Sequence, residues 1–355
     1  MRDSRCGIRA TNLSDEHNTR PIRFSSLLRP AMTNATSEDP ESPSELRPHE
    51  GPKPRFTVVV PTRDRPRQLA RCLEALRRLE PPEGGWELVI VDDGSLPPVE
   101  LNLAPLTGVV LRRAGDGPAR ARNAGASQAR GQYLAFLDDD CEPDPHWLRA
   151  LAERIDPALP TCQGGAIQNA LTRNFCSSAS QLLVDYLYRA FDSTSEQFFC
   201  SNNLCVPTEQ FHLLGGFDSS FPLPAAEDRD FCIRWREAGY ALQFVPEAVM
   251  LHSHPMNLRG YWRQHYRYGR GAYQFHLLRS ERAGERLQIE PFRFYWNLIR
   301  FPFGRLPVLR AAVVSFLLLV AQAANAIGFF RERARTPVQQ TGETGNLQPP
   351  AGGKG

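Results

Sequence analysis

The chain has 355 residues, a formal net charge of +3, 41% hydrophobic and 23% charged residues. That length supports one large or two modest domains with a sizeable core, and that charge content excludes both a polytopic membrane protein and a wholly disordered chain. Charge is unevenly placed: residues 55–254 carry −7 and residues 255–310 carry +8, so an acidic body with a basic tail argues against a nucleic-acid partner, whose basic surface should lie on the folded body.

Residues 1–54 mix Pro, Ser, Glu and Arg without apolar periodicity and are expected to be disordered. Met1–Arg20 lacks the apolar run of a secretory signal. The 8 cysteines show no C-x-x-C pair and no zinc spacing, so reduced thiols in the cytoplasm are expected.

Order is expected from Phe56. Phe56–Val60 is a β-branched run of the kind buried on both faces of a parallel sheet. Leu69, Cys72, Leu73, Leu76 and Leu79 recur at helical spacing behind Pro66. Trp86–Ser95 reads as an apolar strand followed by a polar, Gly-containing loop, Val109–Leu111 as a short strand, Pro118–Ala129 as an Ala-rich helix, and Tyr133–Leu137 as a strand that runs into Asp138, Asp139 and Asp140. This alternation predicts a doubly wound α/β domain, in which ligands sit beyond the carboxyl ends of the strands. No elements can be placed between about 157 and 200. Later come Ser201–Pro207, a short helix stopped at Gly215-Gly216, a helix over about 227–238, and a strand at Tyr240–Pro246 with His252 beyond it.

Past Pro255 the composition changes. Residues 255–310 carry twelve aromatics interleaved with Arg, and Ala311–Phe330 contains no charge. Twenty helical residues rise about 30 Å, the thickness of a bilayer core, and the aromatic and Arg-rich flanks resemble interfacial anchors. Gln322 and Asn325 leave three readings open: a span, an in-plane helix, or a buried helix. Residues 331–355 are expected to end in a disordered tail.

The densest chemical signal is Phe136–Asp144. Three consecutive carboxylates at a buried strand end concentrate negative charge that a divalent cation would neutralise, and Asp138 and Asp140, two apart in extended backbone, project to one side. Asp144 suits a plain helix cap. Val91–Ser95 places Asp92 and Asp93 at a second strand end beside a glycine turn, as in nucleotide-binding sheets or in an ordinary β-turn. Glu227 and Asp228 precede a helix, where acidic residues favour the dipole and where a general base could also sit. His252 and His254 are spaced to face one way, as ligands for Mn²⁺ or as a surface pair.

These pieces occur together and in order, in VVVPTRDRPRQLARCLEAL, VDDGS, GPARARNAGASQARGQYLAFLDDDCEPDPHWL, SNNLCVPTEQFHLLGGFD, AEDRDFCIRWREAGY and His252. The combination resembles the family 2 glycosyltransferases, over about residues 56–254. The resemblance implies a GT-A fold, a Rossmann-like doubly wound mixed sheet, and an inverting transferase that moves one sugar from a nucleotide-diphospho-sugar to an acceptor hydroxyl. It implies that Pro61, Thr62, Asp64 and Asp92 or Asp93 contact the nucleoside, and that Arg122, Asn123 and Asp139 complete the donor site. Asp138, Asp140 and His252 would hold Mn²⁺ or Mg²⁺. Asn202, Gly215, Gly216, Phe217 and Asp218 would shape the acceptor pocket, and Asp228 would be the base with Glu227 beside it. The Q-x-x-R-W motif of processive synthases is missing, the nearest segment being Tyr261–Gln264, which favours single-sugar addition. A saccharide or lipid-linked acceptor, and attachment of residues 55–254 to the inner face of a membrane through 255–310 and 311–330, are the expected partners and setting. A nucleotidyltransferase or a non-catalytic carbohydrate binder on the same fold are the alternatives.

Overall fold

Strand β1 (Phe56–Thr62) is buried along its whole length, with Val58 and Val60 facing one apolar cluster and Val59 the other. This is the two-faced burial expected of a central strand with helices on either side. The computed structural model describes residues 52–221, 226–283 and 290–335. The tail expected over 336–355, and all but the last three residues of the segment expected to be disordered at 1–54, lie outside the described residues.

In chain order follow α1 (Pro66–Arg77), β2 (Trp86–Asp92), β3 (Gly108–Arg112), α2 (Pro118–Ser127), β4 (Tyr133–Leu137), β5 (Cys141–Pro143), α3 (Trp147–Glu153), β6 (Thr161–Asn169), α4 (Phe175–Ala190), β7 (Asn203–Pro207), α5 (Thr208–Leu213), α6 (Glu227–Glu237) and β8 (Ala241–His252). The strands form one mixed sheet in the order β3-β2-β1-β4-β7-β6-β8-β5. β1, β2, β3 and β4 run parallel, β7 is antiparallel to β4, and β5 is antiparallel to β8. Helices α1 and α3 cover one face, and α2, α5 and α6 the other. The doubly wound sheet read from the alternating pattern is therefore present.

Two features are not legible in the pattern. β6 contains Gln163, Gly164, Gly165 and Gln168 and so shows no apolar alternation, yet it pairs with both β7 and β8. β8 is one strand of 12 residues, and it carries a bulge where Gly165 pairs with Val245 and the next residue, Ala166, pairs with Val249. Pro246, which has no amide hydrogen to give a ladder, falls in that bulge.

The C-terminal part consists of α7 (Leu258–Ala283), α8 (Phe292–Arg300), a 3₁₀ turn (Phe301–Gly304) and α9 (Val308–Arg335). Among the described residues α9 is the helix long and apolar enough to cross a membrane, and it extends past both ends of the uncharged run at 311–330. Val314, Leu317, Leu318 and Ala321 of α9 pack with Leu182, Leu183 and Tyr186 of α4. Where α9 crosses α7, a Cβ on Gly269 would come 1.9 Å from the Asn325 carbonyl oxygen, and one on Gly328 would come 2.1 Å from that of Tyr266. Backbones that close admit no side chain at either position.

Candidate active site

The carboxyl ends of β1 and β4 lie side by side, because β1 pairs with β4 in parallel register. Thr62 Oγ1 at the end of β1 donates to Asp139 Oδ2 at 2.7 Å. Arg65, at the start of α1, places Nη1 at 3.1 Å from both Asp139 Oδ1 and Asp140 Oδ2. Asp140 also receives the two histidines: His252 Nε2 lies 3.4 Å from Oδ1 and His254 Nδ1 3.2 Å from Oδ2. They arrive there because antiparallel pairing sets His252 opposite Cys141, with Ser253 N–H bonded to the Asp140 carbonyl at 2.8 Å.

Asp139 and Asp140 are thereby made unlike. Burial pushes Asp139 up to about 6, against the pull of Thr62 and Arg65. Burial acts on Asp140 in the same direction, but the hydrogen bonds from His252 and His254 and the charges around it hold Asp140 well below the usual carboxylate range. His252 is raised in turn: burial opposes its charge, and Asp140 more than compensates.

Asp140, Cys141 and His252 bring a carboxylate oxygen, a thiol and an imidazole nitrogen within 4.8 Å of one another. Burial holds the Cys141 thiol well above its usual range, so carboxylate and imidazole are the donors that suit Mn²⁺, and to a lesser degree Mg²⁺. The bridging Arg65 guanidinium marks the same place as a seat for positive charge. Asp138 is not in this group. Its Oδ1 accepts from Arg122 Nη2 at 2.6 Å, so in this structure the two outer aspartates serve different cations.

Arg122 is a buried residue of α2. Its Nη1 lies 3.3 Å from Glu227 Oε1, which ties the strand-end aspartates to the start of α6. There Ala226 adopts a left-handed φ of 74°, so the chain turns sharply and sets Glu227 and Asp228 in the first turn. Asp228 Oδ1 accepts from the Arg229 N–H at 2.8 Å and Oδ2 from the Ser201 N–H at 3.3 Å. Burial raises Asp228 despite these bonds. Burial and the adjoining Asp228 charge push Glu227 up to about 7, opposed by Arg122.

Thr62, Arg65, Asp138, Asp139, Asp140, His252, His254, Arg122, Glu227 and Asp228 border one cleft of about 1590 Å³, whose far wall is built from α4, α7, α8 and α9. From α7, Gln264 Oε1 sits 3.1 Å from His254 Nε2, and Gln264 Nε2 donates to the Tyr268 hydroxyl at 3.2 Å. Tyr268 is 43% exposed and borders the cleft, and a phenol keeps its proton near neutral pH. An oxygen that accepts from Gln264 and keeps its proton has that proton to donate into the cleft.

The remaining expected residues divide in two. Pro61, Thr62, Asp93, Arg122, Asp138, Asp139, Asp140, Asn202, Glu227, Asp228 and His252 border the cleft. Asn202 is buried there, and its Oδ1 has no hydrogen-bond partner among the described residues. The others are framework. Asp92 accepts from Ser95 N, Val99 N and Arg112 and so fastens its own turn, whereas Asp93 takes the amides of Asp116 and Gly117 beside the cleft. Asp64 accepts from Leu96 N and does not border the cleft. Asn123 does not point at the donor side either: it clamps Phe217, donating to its carbonyl at 2.7 Å and accepting from its amide at 2.9 Å. Gly215, Gly216, Phe217 and Asp218 also lie away from the cleft lining. Gly216 has a φ of 68° and an added Cβ would meet Asn123 Oδ1 at 2.6 Å. Phe217 is buried against Phe136, Phe211 and Phe231, and Asp218 pairs with Arg282 at 2.6 Å. Nothing in the sequence singles out Arg65, Gln264 and Tyr268, since an Arg beside Asp64 and an i, i+4 pair on a long polar helix carry no spacing that marks a site.

A family model described as glycosyl transferase family group 2 matches residues 133–330, more than half of the chain, and one described as glycosyl transferase family 2 matches residues 57–200. The chain belongs to glycosyl transferase family 2. Its mixed sheet is accordingly the GT-A arrangement. It is 30% identical over 226 residues to the pre-mycofactocin glycosyltransferase of Mycobacterium tuberculosis, covering 60% of this chain and 46% of that protein. It is 22% identical over 240 residues to glycosyltransferase AglE of Haloferax volcanii, covering 63% and 75%. The chain thus spans less than half the length of the mycobacterial relative. Among solved structures, mannosyltransferase PcManGT from Pyrobaculum calidifontis, in complex with GDP-Man and Mn²⁺, is similar with a TM-score of 0.49 at 19% identity, over 80% of each chain.

Proposed function

We propose that this family 2 chain is an inverting transferase that moves one sugar from a nucleotide-diphospho-sugar to an acceptor hydroxyl. The observation that carries the reading is the shared cleft: Asp140 with its two histidines stands at one sheet edge, Asp228 at the start of α6, and Arg122 links the two regions through Asp138 and Glu227.

The donor nucleoside lies along Pro61, Thr62 and Asp93, with its diphosphate toward Arg65 and Asp140. A divalent cation, Mn²⁺ or Mg²⁺, held by Asp140 and His252 would stabilise charge on the leaving diphosphate oxygens. Asp228 takes the proton of the acceptor hydroxyl as that oxygen attacks the anomeric carbon from the face opposite the leaving group. Its raised affinity for protons suits it to that task near neutral pH. Asn202 and Tyr268 offer an acceptor and a donor of hydrogen bonds for orienting the acceptor, and Arg122 holds Asp138 and Glu227 in place.

The acceptor is a saccharide, and the apolar α9 beside the cleft favours one linked to lipid. We place the catalytic domain at the cytoplasmic face of a membrane, in keeping with its buried thiols. The test is a panel of nucleotide sugars with Mn²⁺. Release of nucleoside diphosphate, and an inverted anomeric proton coupling in the product, are expected. Pyrophosphate release instead would make the chain a nucleotidyltransferase, and silence with every donor would make it a binding protein.

A further inference from the structure

We propose that α9, with α8 beside it, docks the protein along the surface of an anionic lipid bilayer and does not cross it. This deepens the membrane part of the reading above, but it rests on a surface separate from the reacting groups.

Two faces of α9 lead to opposite solvents. Its inner face is committed to protein. Gln322 and Asn325 border the polar cleft, Glu332 pairs with Arg270 of α7 at 2.6 Å, and Gly269 and Gly328 bring the α7 and α9 backbones into direct contact. A span of α9 would draw α7 with it, including Arg263, Arg267 and Arg270, into hydrocarbon, where each charge is costly. Its outer face is apolar and lies outside the cleft, uncovered among the described residues: Leu309 is 85% exposed, Phe316 63%, Leu319 52% and Ile327 50%. These positions share one stripe along about five turns. On α8, Phe292 and Trp296 are exposed at 80% and 51%, and their i, i+4 spacing sets them together, as interfacial aromatics are set.

Charge identifies the occupant. Arg293, Arg300 and Arg331 are exposed and form no ion pair among the described residues. Residues 255–310 carry +8 behind a body of −7, so an anionic surface attracts the helical side and repels the sheet. A second copy of the chain would present like charge to like at this face. The docked arrangement sets the cleft wall formed by α7 and α9 at headgroup level, where the polar part of an amphiphilic acceptor lies.

The test uses the full chain with vesicles of phosphatidylcholine alone and with a fraction of phosphatidylglycerol, in co-sedimentation. Binding is expected to the anionic vesicles, weakening with salt. The variant Leu309→Glu/Phe316→Glu/Ile327→Glu alters exposed positions outside the cleft, and should lower partitioning by at least about tenfold while donor hydrolysis stays intact. In cells, a C-terminal tag should be accessible from the same side as the N-terminus and should be extracted by alkaline carbonate. A full chain that hydrolyses donor but ignores anionic vesicles overturns the proposal. So does a tag on the opposite side, binding that the triple variant leaves unchanged, or a vesicle-free dimer that the triple variant dissolves. Loss of hydrolysis with binding retained would count against the transferase reading and leave the docking in place.

Discussion

Arg122 Nη2 lies 2.6 Å from Asp138 Oδ1, and the arginine side chain is only 5% exposed. The same guanidinium reaches Glu227, itself buried, so one buried cation answers two carboxylates from distant parts of the chain. Removing one partner of a buried ion pair leaves the rest uncompensated. Arg122→Met should therefore cost about 3–5 kcal/mol in urea unfolding, with part recovered in Arg122→Met/Glu227→Gln. A loss below about 1 kcal/mol, the level of an exposed pair, would show that the bridge holds nothing in place.

Asp228 is raised above the ordinary carboxylate range by burial. A base must be ionised, so turnover should rise with pH through that raised value, and the acid limb should sit higher than an exposed aspartate would give. Asp228→Asn should abolish the limb and cut turnover by about 10²–10⁴-fold, with nucleotide binding by thermal shift unchanged. Wild-type turnover in the variant would remove Asp228 from the role.

His252 carries a raised affinity for its proton because Asp140 faces it. A group of this sign contributes stability that is fully present below its unfolded value near 6.5 and is lost as pH rises through its folded value. With chelator present, wild-type stability should fall as pH climbs past about 6.5, and His252→Gln should flatten that slope. Mn²⁺ at about 100 times its dissociation constant should restore roughly 2.7 kcal/mol at the alkaline end, and the variant should lose most of that gain. An equal Mn²⁺ response in both proteins would place the ion elsewhere.

Tyr268 offers a hydroxyl whose oxygen is held by Gln264 at 3.2 Å. Tyr268→Phe deletes only that oxygen. A net loss of about 1 kcal/mol should appear as a several-fold rise in KM for the acceptor, with donor hydrolysis and the nucleotide thermal shift unchanged. A fall in donor hydrolysis instead would assign the hydroxyl to the donor side.

Gly328 stands where an added Cβ would meet the Tyr266 carbonyl oxygen at 2.1 Å. Gly328→Ala should separate α7 from α9 and cost about 1–3 kcal/mol, read as a lower Tm, together with a loss of turnover because the cleft wall shifts. An unaltered Tm would mean that the helices tolerate a wider crossing.

The strands that end in carboxylates are legible because a continuous apolar run stopped by Asp fits a buried strand reaching a sheet edge, and Asp138–Asp140, Asp228 and His252 all border the cleft at that edge. The partner of each carboxylate is not legible. Nothing in the spacing of Arg65, Arg122 or His254 says which oxygen it will reach, since those distances are set by register and helix placement. The stretch 157–200 hides β6 behind glycine and glutamine, and Asn123 with Gly215–Phe217 looks like ligand-binding polarity when its hydrogen bonds close a turn over the aromatic cluster. The uncharged run in α9 matches a bilayer in length, but length does not reveal that one face of it is already covered by α4 and α7.

The crossing of α7 and α9 has a temporal consequence. The carboxylates proposed for the reaction are all encoded before residue 254, whereas the α7, α8 and α9 parts of the wall facing them follow the whole sheet in chain order. A nascent polypeptide still lacking α9 would leave that side of the cleft open to water, so the cleft described above closes only when the ribosome has released that helix.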